Sequence, residues 1–194
     1  MGEIQRIFYF HVSSAWVGFF AFFITFIFSV SYLVKPSLMK DITAKSSAEV
    51  GFLFISMTLA TGMLWARPVW GVFWVWEPRL TISAVQWLIY FSYLLLRRSS
   101  RSREREASLA AVFGIMGFIT VPLSWFAIRW WRTLHPEILT EPSVGLPIKI
   151  VAVLIASVAS FSLLYYSFVR QNITIEKLKV ELLSVYREKE EMVN

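Results

Sequence analysis

The sequence predicts an all-α fold, a polytopic membrane bundle with five transmembrane helices. Hydrophobic residues make up 57% of the 194 residues, and aromatic residues make up 17%. Only 16% of the residues are charged, whereas soluble globular domains carry about a quarter. The polar surface that a soluble fold of this length needs is therefore missing, and we expect a membrane protein.

Five long segments without Lys, Arg, Asp or Glu define the predicted helices. Each has roughly 17 to 25 residues or more, which is enough to cross a hydrocarbon core about 30 Å thick. Helices are expected because the bilayer core offers no water to satisfy an open backbone. The predicted spans lie near residues 10–34, 49–66, 81–97, 107–128 and 149–170, and they form one transmembrane domain over residues 1–170.

Basic residues set the predicted orientation. The predicted loops at 35–47 and 97–106 and the tail after residue 170 hold most of the 19 Lys and Arg residues. With five spans these three regions lie on one side, and the positive-inside rule makes that side the cytoplasm. We expect a multi-pass protein of the cytoplasmic (inner) membrane, with its N-terminus outside and its C-terminus in the cytoplasm. The topology explains the net charge of +6, so we expect membrane lipid and no nucleic acid as partners.

The last 24 residues, 171–194, change to mixed charge, with Ile175, Leu178, Leu182 and Val185 at helical spacing. The pattern predicts a short amphipathic cytoplasmic helix. Its role stays open between a solvated extension that anchors the last span and a docking surface for a cytoplasmic partner.

Several kinds of site are excluded. The chain has no cysteine, which rules out structural disulfides and thiolate metal sites. It also has no Gly-rich phosphate loop and no paired nucleophile and base. We therefore expect a protein that binds and presents a ligand, and not one that carries out chemistry on a substrate by itself.

The predicted outer side carries the dense aromatic segment "WGVFWVWEPRLT", residues 70–81, in a predicted loop over 66–80. Trp70, Trp74 and Trp76 lie within seven residues, together with Phe73, and Gly71 is expected to allow a close backbone approach. One interpretation is an aromatic belt, because Trp and Tyr favour membrane interfaces. A belt distributes its rings among several helix ends, however, so a platform for a large, flat, apolar ligand is the better interpretation.

Both histidines of the chain are predicted on the same outer side. His11 lies at the mouth of the first span, in "FYFHVSS", and His135 follows the fourth span, in "RWWRTLHPEIL". Each could be an interfacial residue with a satisfied hydrogen bond, but imidazole is also a common axial ligand of haem iron. We predict that the two histidines clamp one haem iron from opposite faces. Its propionates would pair with outward arginines through their bidentate forks; the candidates are Arg67, Arg79, Arg129 and Arg132.

These segments together resemble a known family. "RPVWGVFWVWEPRLT" is similar to the W-G-x-x-W-x-W-D signature, or WWD domain, of the haem-handling membrane proteins of cytochrome c biogenesis. With the histidine contexts "RIFYFHVSSAW" and "WWRTLHP", the likeness is to the haem exporter protein C family, component C of the cytochrome c maturation system. It covers residues 6 to about 170.

The resemblance implies that the chain binds haem b transiently and non-covalently at the outer face and delivers it to a haem chaperone. It also implies an ABC-type haem-release complex with an ATP-binding subunit, a second membrane subunit and a small single-span subunit. Any covalent bond would form between haem and the chaperone, so whether this protein counts as an enzyme is partly a matter of definition. Carried over residue by residue, His11 and His135 match the iron ligands; the other candidate cofactor contacts are Trp70, Gly71, Phe73, Trp74, Trp76, Glu77, Arg79, Trp130 and Arg132.

Three features depart from the family pattern. Glu77 stands where the signature has aspartate, and Phe73 fills a position that is often a third tryptophan. Typical members have six spans, and this chain begins almost at the first histidine, so an initial helix is expected to be missing.

Three other functions remain as alternatives. An electron-transferring membrane cytochrome would need histidines in mid-membrane on facing helices. A haem-channel protein of the other cytochrome c assembly pathway shares the tryptophan-rich loop but is longer and has more histidines and spans. A permease or scaffold subunit would bind no cofactor, so added haem would produce no Soret shift.

Overall fold

The computed structural model describes residues 4–99, 103–131, 135 and 147–193. These residues form five α-helices and, within the described ranges, no β-strand. All five helices are long and apolar enough to cross a membrane. The predicted all-α bundle is therefore confirmed, and its helices are α1 (Gln5–Val34), α2 (Leu38–Trp70), α3 (Pro78–Ser99), α4 (Arg103–Trp130) and α5 (Ile148–Val193).

The bundle has two ends, which we name by their residues. The tryptophan end is the end where residues 71–77 join α2 to α3, and the basic end is the end where residues 35–37 join α1 to α2. Contacts across the bundle fix this arrangement. His11 near the start of α1 meets Thr58 in the second half of α2, and Asp41 near the start of α2 meets Arg97 near the end of α3.

Small residues allow the helices to approach closely around α1, which packs against α2, α4 and α5. Phe22 of α1 stacks on Tyr90 of α3, with ring centroids 3.4 Å apart and planes at 6°. A Cβ on Gly51 of α2 would lie 2.8 Å from the Phe22 ring, and one on Gly117 of α4 would lie 2.6 Å from the Tyr90 ring. The two rings thus fill the space that two glycines leave, which is how membrane helices often pack.

The helices extend beyond the predicted spans. α2 begins at Leu38, so the predicted loop at 35–47 is reduced to residues 35–37. The sequence misled here because α2 carries charges in its first turns, and such charges are typical of loops. In the structure they have partners on other helices, which are the pairs Asp41–Arg97, Lys45–Glu176 and Glu49–Asn172.

The C-terminal segment does not form a separate helix. α5 runs for 46 residues from Ile148 to Val193 without a break, so the predicted amphipathic helix over 171–194 is its continuation. No helix end marks the predicted division at residue 170, and that division stays a prediction. Leu178, Leu182 and Val185 are more than half exposed along this part of α5.

Candidate functional site

A cavity lies at the tryptophan end among α1, α2, α3 and α4. Its wall combines aromatic and apolar side chains with two histidines and two arginines. The sequence-predicted site residues that line it are His11, His135, Trp70, Phe73, Trp74 and Arg79.

His11 is held against α2 through one nitrogen of its ring. Its Nδ1 lies 3.0 Å from the backbone oxygen of Thr58 and 3.2 Å from the hydroxyl oxygen of Thr61. A carbonyl oxygen only accepts hydrogen bonds, so Nδ1 carries a proton and donates it to Thr58. In the neutral ring the lone pair is then on Nε2, the nitrogen that remains to bind a metal.

His135 lies beside His11, although 124 positions separate them in the numbering. The two ring centroids are 6.3 Å apart, and the ring planes are inclined at 34°. A metal–imidazole bond is about 2.0 to 2.1 Å, so a separation of this size leaves room for one metal ion between the two rings.

The tryptophans that the sequence predicts as a platform divide between the cavity wall and its edge. Trp70 and Trp74 line the cavity together with Trp65, and Trp65 meets Trp70 edge-on at 5.6 Å. Trp76 is 77% exposed and does not line the cavity; its ring contacts the edge of Trp74 at 5.6 Å. α2 continues to Trp70, so only residues 71–77 form an irregular loop, and that loop directs Trp74 into the cavity and Trp76 away from it.

Gly71 ends α2 and shapes the start of the loop. It has φ 78°, ends α2 in the left-handed conformation and donates its N–H to the oxygen of Arg67 at 3.0 Å. The positive φ is by itself a reason for glycine at this position, because L side chains rarely adopt it. The Arg67 guanidinium in turn donates to the Gly71 oxygen and lies 5.5 Å from the Phe73 ring centroid.

The remaining candidates divide between the cavity and its surroundings. Arg79 of α3 and Arg129 of α4 line the cavity, whereas Arg67 holds the loop. Glu77 is buried just before α3 and accepts the N–H of Thr81 through its backbone oxygen at 2.9 Å.

One of the remaining candidates, Trp130, is the last residue of α4. Trp130 is 62% exposed, does not line the cavity and stacks on Phe126 at 5.2 Å. Arg132 lies outside the described residues.

Sequence reasoning missed the walls that α1 and α4 provide. Phe8, Ala15 and Phe19 line the cavity beside His11, and their positions three before, four after and eight after the histidine lie on one helix face. That spacing could have identified them. Trp125 also lines the cavity, four positions before Arg129 on α4.

Comparison with known proteins gives the family. The model of the CcmC family, heme exporter protein C, matches residues 1–188. A putative cytochrome c biosynthesis ccmC-like mitochondrial protein of Marchantia polymorpha is 34% identical over 161 residues, which is 82% of this chain and 68% of that protein.

Bacterial relatives carry the family name itself. Heme exporter protein C of Bradyrhizobium diazoefficiens is 37% identical over 134 residues, which is 69% of this chain and 51% of that protein. Heme exporter protein C of Escherichia coli (strain K12) is 31% identical over 136 residues, which is 69% of this chain and 55% of that protein. The matches thus span about half the length of these two bacterial relatives. Because the family model covers almost the entire chain, the chain belongs to the heme exporter protein C family.

Proposed function

We propose that this chain binds haem b, transiently and without a covalent bond, at the tryptophan end and presents it to a haem chaperone during cytochrome c maturation. The observation that carries the proposal is the pair of histidine rings at the cavity, whose centroids are 6.3 Å apart. When bound, haem supplies an iron atom that takes axial nitrogen ligands. His11 would offer Nε2, since its Nδ1–H donates to Thr58.

The aromatic wall fits the rest of the group. A porphyrin has two large apolar faces, and rings of the size of tryptophan bury a large area against such a surface. Trp70 and Trp74 would provide that contact. The indole N–H of Trp74 is buried and has no hydrogen-bond partner among the described residues, so it is a donor that a polar group of a ligand could satisfy.

Two arginines would select the charge of the ligand. Arg79 and Arg129 reach the cavity from α3 and α4, and a guanidinium can donate two parallel hydrogen bonds to one carboxylate. They are therefore suited to the two propionates of haem. A cavity for a neutral apolar ligand would not be expected to carry two arginines in its wall.

The proposed orientation puts the tryptophan end outside the cytoplasmic membrane. Lys40, Lys45, Arg97 and Arg103 all lie at the basic end, which under the positive-inside rule faces the cytoplasm. A chaperone on the outer side would then reach the cavity directly. The proposed setting is a haem-release complex with an ATP-binding subunit, a second membrane subunit and a small single-span subunit, as the family resemblance implies.

Haem titration of the purified protein in detergent tests the proposal. We expect one equivalent of haemin to give a low-spin spectrum, because two imidazoles provide a strong ligand field. His11→Ala and His135→Ala should each give a high-spin spectrum with weaker haem retention, and free imidazole should restore the low-spin form by filling the vacant position. Tyr166→Ala, on an exposed face of α5, is the matched control and should behave like the wild type.

Two results would count against the proposal. Low-spin spectra and full haem content in both histidine variants would show that the histidines are interfacial bystanders. Haem that stays on the protein after incubation with the haem-free chaperone would support the membrane-cytochrome alternative instead of delivery.

A further inference from the structure

We propose that three neighbouring residues of α2, Thr58, Thr61 and Gly62, form a seat that positions the His11 ring and fixes its metal-binding nitrogen. This inference rests on the proposed function, because it assigns the seat a role in iron binding. We call these residues the α2 seat.

The hydrogen bonds of the seat determine the tautomer of His11. The Thr61 hydroxyl donates to the backbone oxygen of Met57 at 2.7 Å or to that of Thr58 at 3.2 Å, and in either case a lone pair of Thr61 Oγ1 remains for Nδ1 of His11 at 3.2 Å. The second neighbour of Nδ1, the Thr58 oxygen at 3.0 Å, is also an acceptor. Two acceptors around Nδ1 require a proton there, which leaves Nε2 as the ligand atom.

The same contacts are expected to raise the basicity of the His11 imidazole as well as to orient its ring. An acceptor on the far N–H of a metal-bound imidazole fixes the ring orientation and raises its basicity. The Thr58 oxygen is part of the helix backbone and cannot be removed by substitution, whereas the Thr61 hydroxyl can. Thr61 is therefore a positioning residue whose contribution can be measured.

Gly62 provides the space in which the ring lies. A Cβ at this position would be 3.0 Å from Cε1 of His11 and 3.4 Å from its Nδ1, so the ring would have to move. Gly18 faces α2 from α1, and a Cβ there would meet its nearest atoms, Ile55 N and Phe54 Cβ, at 3.4 and 3.5 Å. Those are ordinary contacts, so Gly18→Ala is a matched control for adding a methyl group at the same helix interface.

Four variants of the full chain test the seat, with haemin affinity, the spin state and the iron midpoint potential as readouts. Thr61→Val keeps the shape and removes the acceptor. We expect a loss of haemin affinity of about tenfold, the lower end of the effect of such supporting groups. We also expect a more positive midpoint potential, because a less basic imidazole stabilises ferric iron less. Thr61→Ser should restore both values.

Gly62→Ala should produce a partly high-spin spectrum that free imidazole converts to low-spin, whereas Gly18→Ala should leave the spectrum unchanged. Thr61→Val with wild-type affinity and potential, or Thr61→Ser as impaired as Thr61→Val, would overturn the inference. If Gly62→Ala does not accumulate, the Thr61 pair alone decides. The proposed function fails separately, when His11→Ala itself keeps the full low-spin spectrum.

Discussion

The two ends of the helix bundle treat their polar groups in different ways. At the basic end, charged side chains pair with one another. Arg97 Nη1 lies 2.5 Å from Asp41 Oδ1 with both side chains less than a tenth exposed, and Lys45 Nζ lies 2.9 Å from Glu176 Oε2. Arg97 also donates to the Tyr93 hydroxyl at 2.9 Å.

At the tryptophan end, polar side chains instead face a cavity. Arg79, Arg129, His11 and His135 line it, and the Trp74 indole N–H is buried there without a partner among the described residues. Burying polar groups costs free energy unless they are hydrogen-bonded. The two ends thus differ in where their polar groups lie: the charged groups of the basic end pair with one another between helices, whereas those of the tryptophan end line a cavity in which the Trp74 indole N–H is available to a ligand.

The largest expected effect is on the activity of reporters fused to the two termini, which tests on which side of the membrane each end of the bundle lies. A reporter fused after Asn194 should be active only in the cytoplasm, and a reporter fused before Met1 should be active only outside, because the basic end is expected to face the cytoplasm. Activity of each fusion in cells, with protein levels as the control, measures this. An N-terminal reporter that is active inside would break the comparison, since the cavity would then open on the wrong side for a chaperone outside.

The next largest expected effect is a loss of stability when one partner of the buried Asp41–Arg97 pair at the basic end is removed. Asp41→Asn removes the nearer of two carboxylates beside the buried Arg97 guanidinium, the other being Glu106 at 3.8 Å, so we expect a cost somewhat below the roughly 3 to 5 kcal/mol of a fully broken buried pair. Thermal unfolding in detergent should show a clear drop in Tm, while the haemin affinity of the folded fraction should match the wild type. Lys179→Gln is the control, because Lys179 is 61% exposed in its pair with Glu176 and such pairs contribute less than about 1 kcal/mol. Lost haem binding with an unchanged Tm would contradict the separation of roles.

The smallest expected effect is the difference in haemin affinity between two tryptophan variants, which tests which rings of the tryptophan end contact the ligand. Trp74→Ala should weaken haemin binding about tenfold, since loss of an aromatic contact worth about 1.5 kcal/mol corresponds to that factor. Trp76→Ala should have much less effect, because that ring is 77% exposed and lies outside the cavity wall. Titration of both variants with haemin measures the difference. Equal losses would mean that the two rings act together as a single platform, as the sequence alone suggests.

The number of helices could be predicted from the sequence, but their ends could not. Charges are costly in lipid, so a long segment without them indicates a span. The converse does not hold. Asp41, Lys45 and Glu49 are charged and yet helical, and their partners come from helices that are distant in the sequence.

The candidate site, too, could be predicted only in part from the sequence. His11 and His135 could be placed on one side because topology alone determines the side. Thr61 and Gly62 carry no sequence signal that connects them to His11, about 50 positions away. Trp76 was expected in the platform because spacing in a loop does not reveal which way a ring points.

The helix α5 is unbroken and extends well beyond its contacts with the rest of the bundle. Its 46 residues correspond to about 69 Å at a rise of 1.5 Å per residue. Asn172 contacts Glu49 at 3.1 Å and Glu176 pairs with Lys45 at 2.9 Å, and roughly 25 Å of helix extend from Glu176 to Val193. A tilt of about 5° around these contacts would shift the end of the helix sideways by about 2 Å, so a small rotation of α5 in the bundle would be enlarged at its C-terminal end.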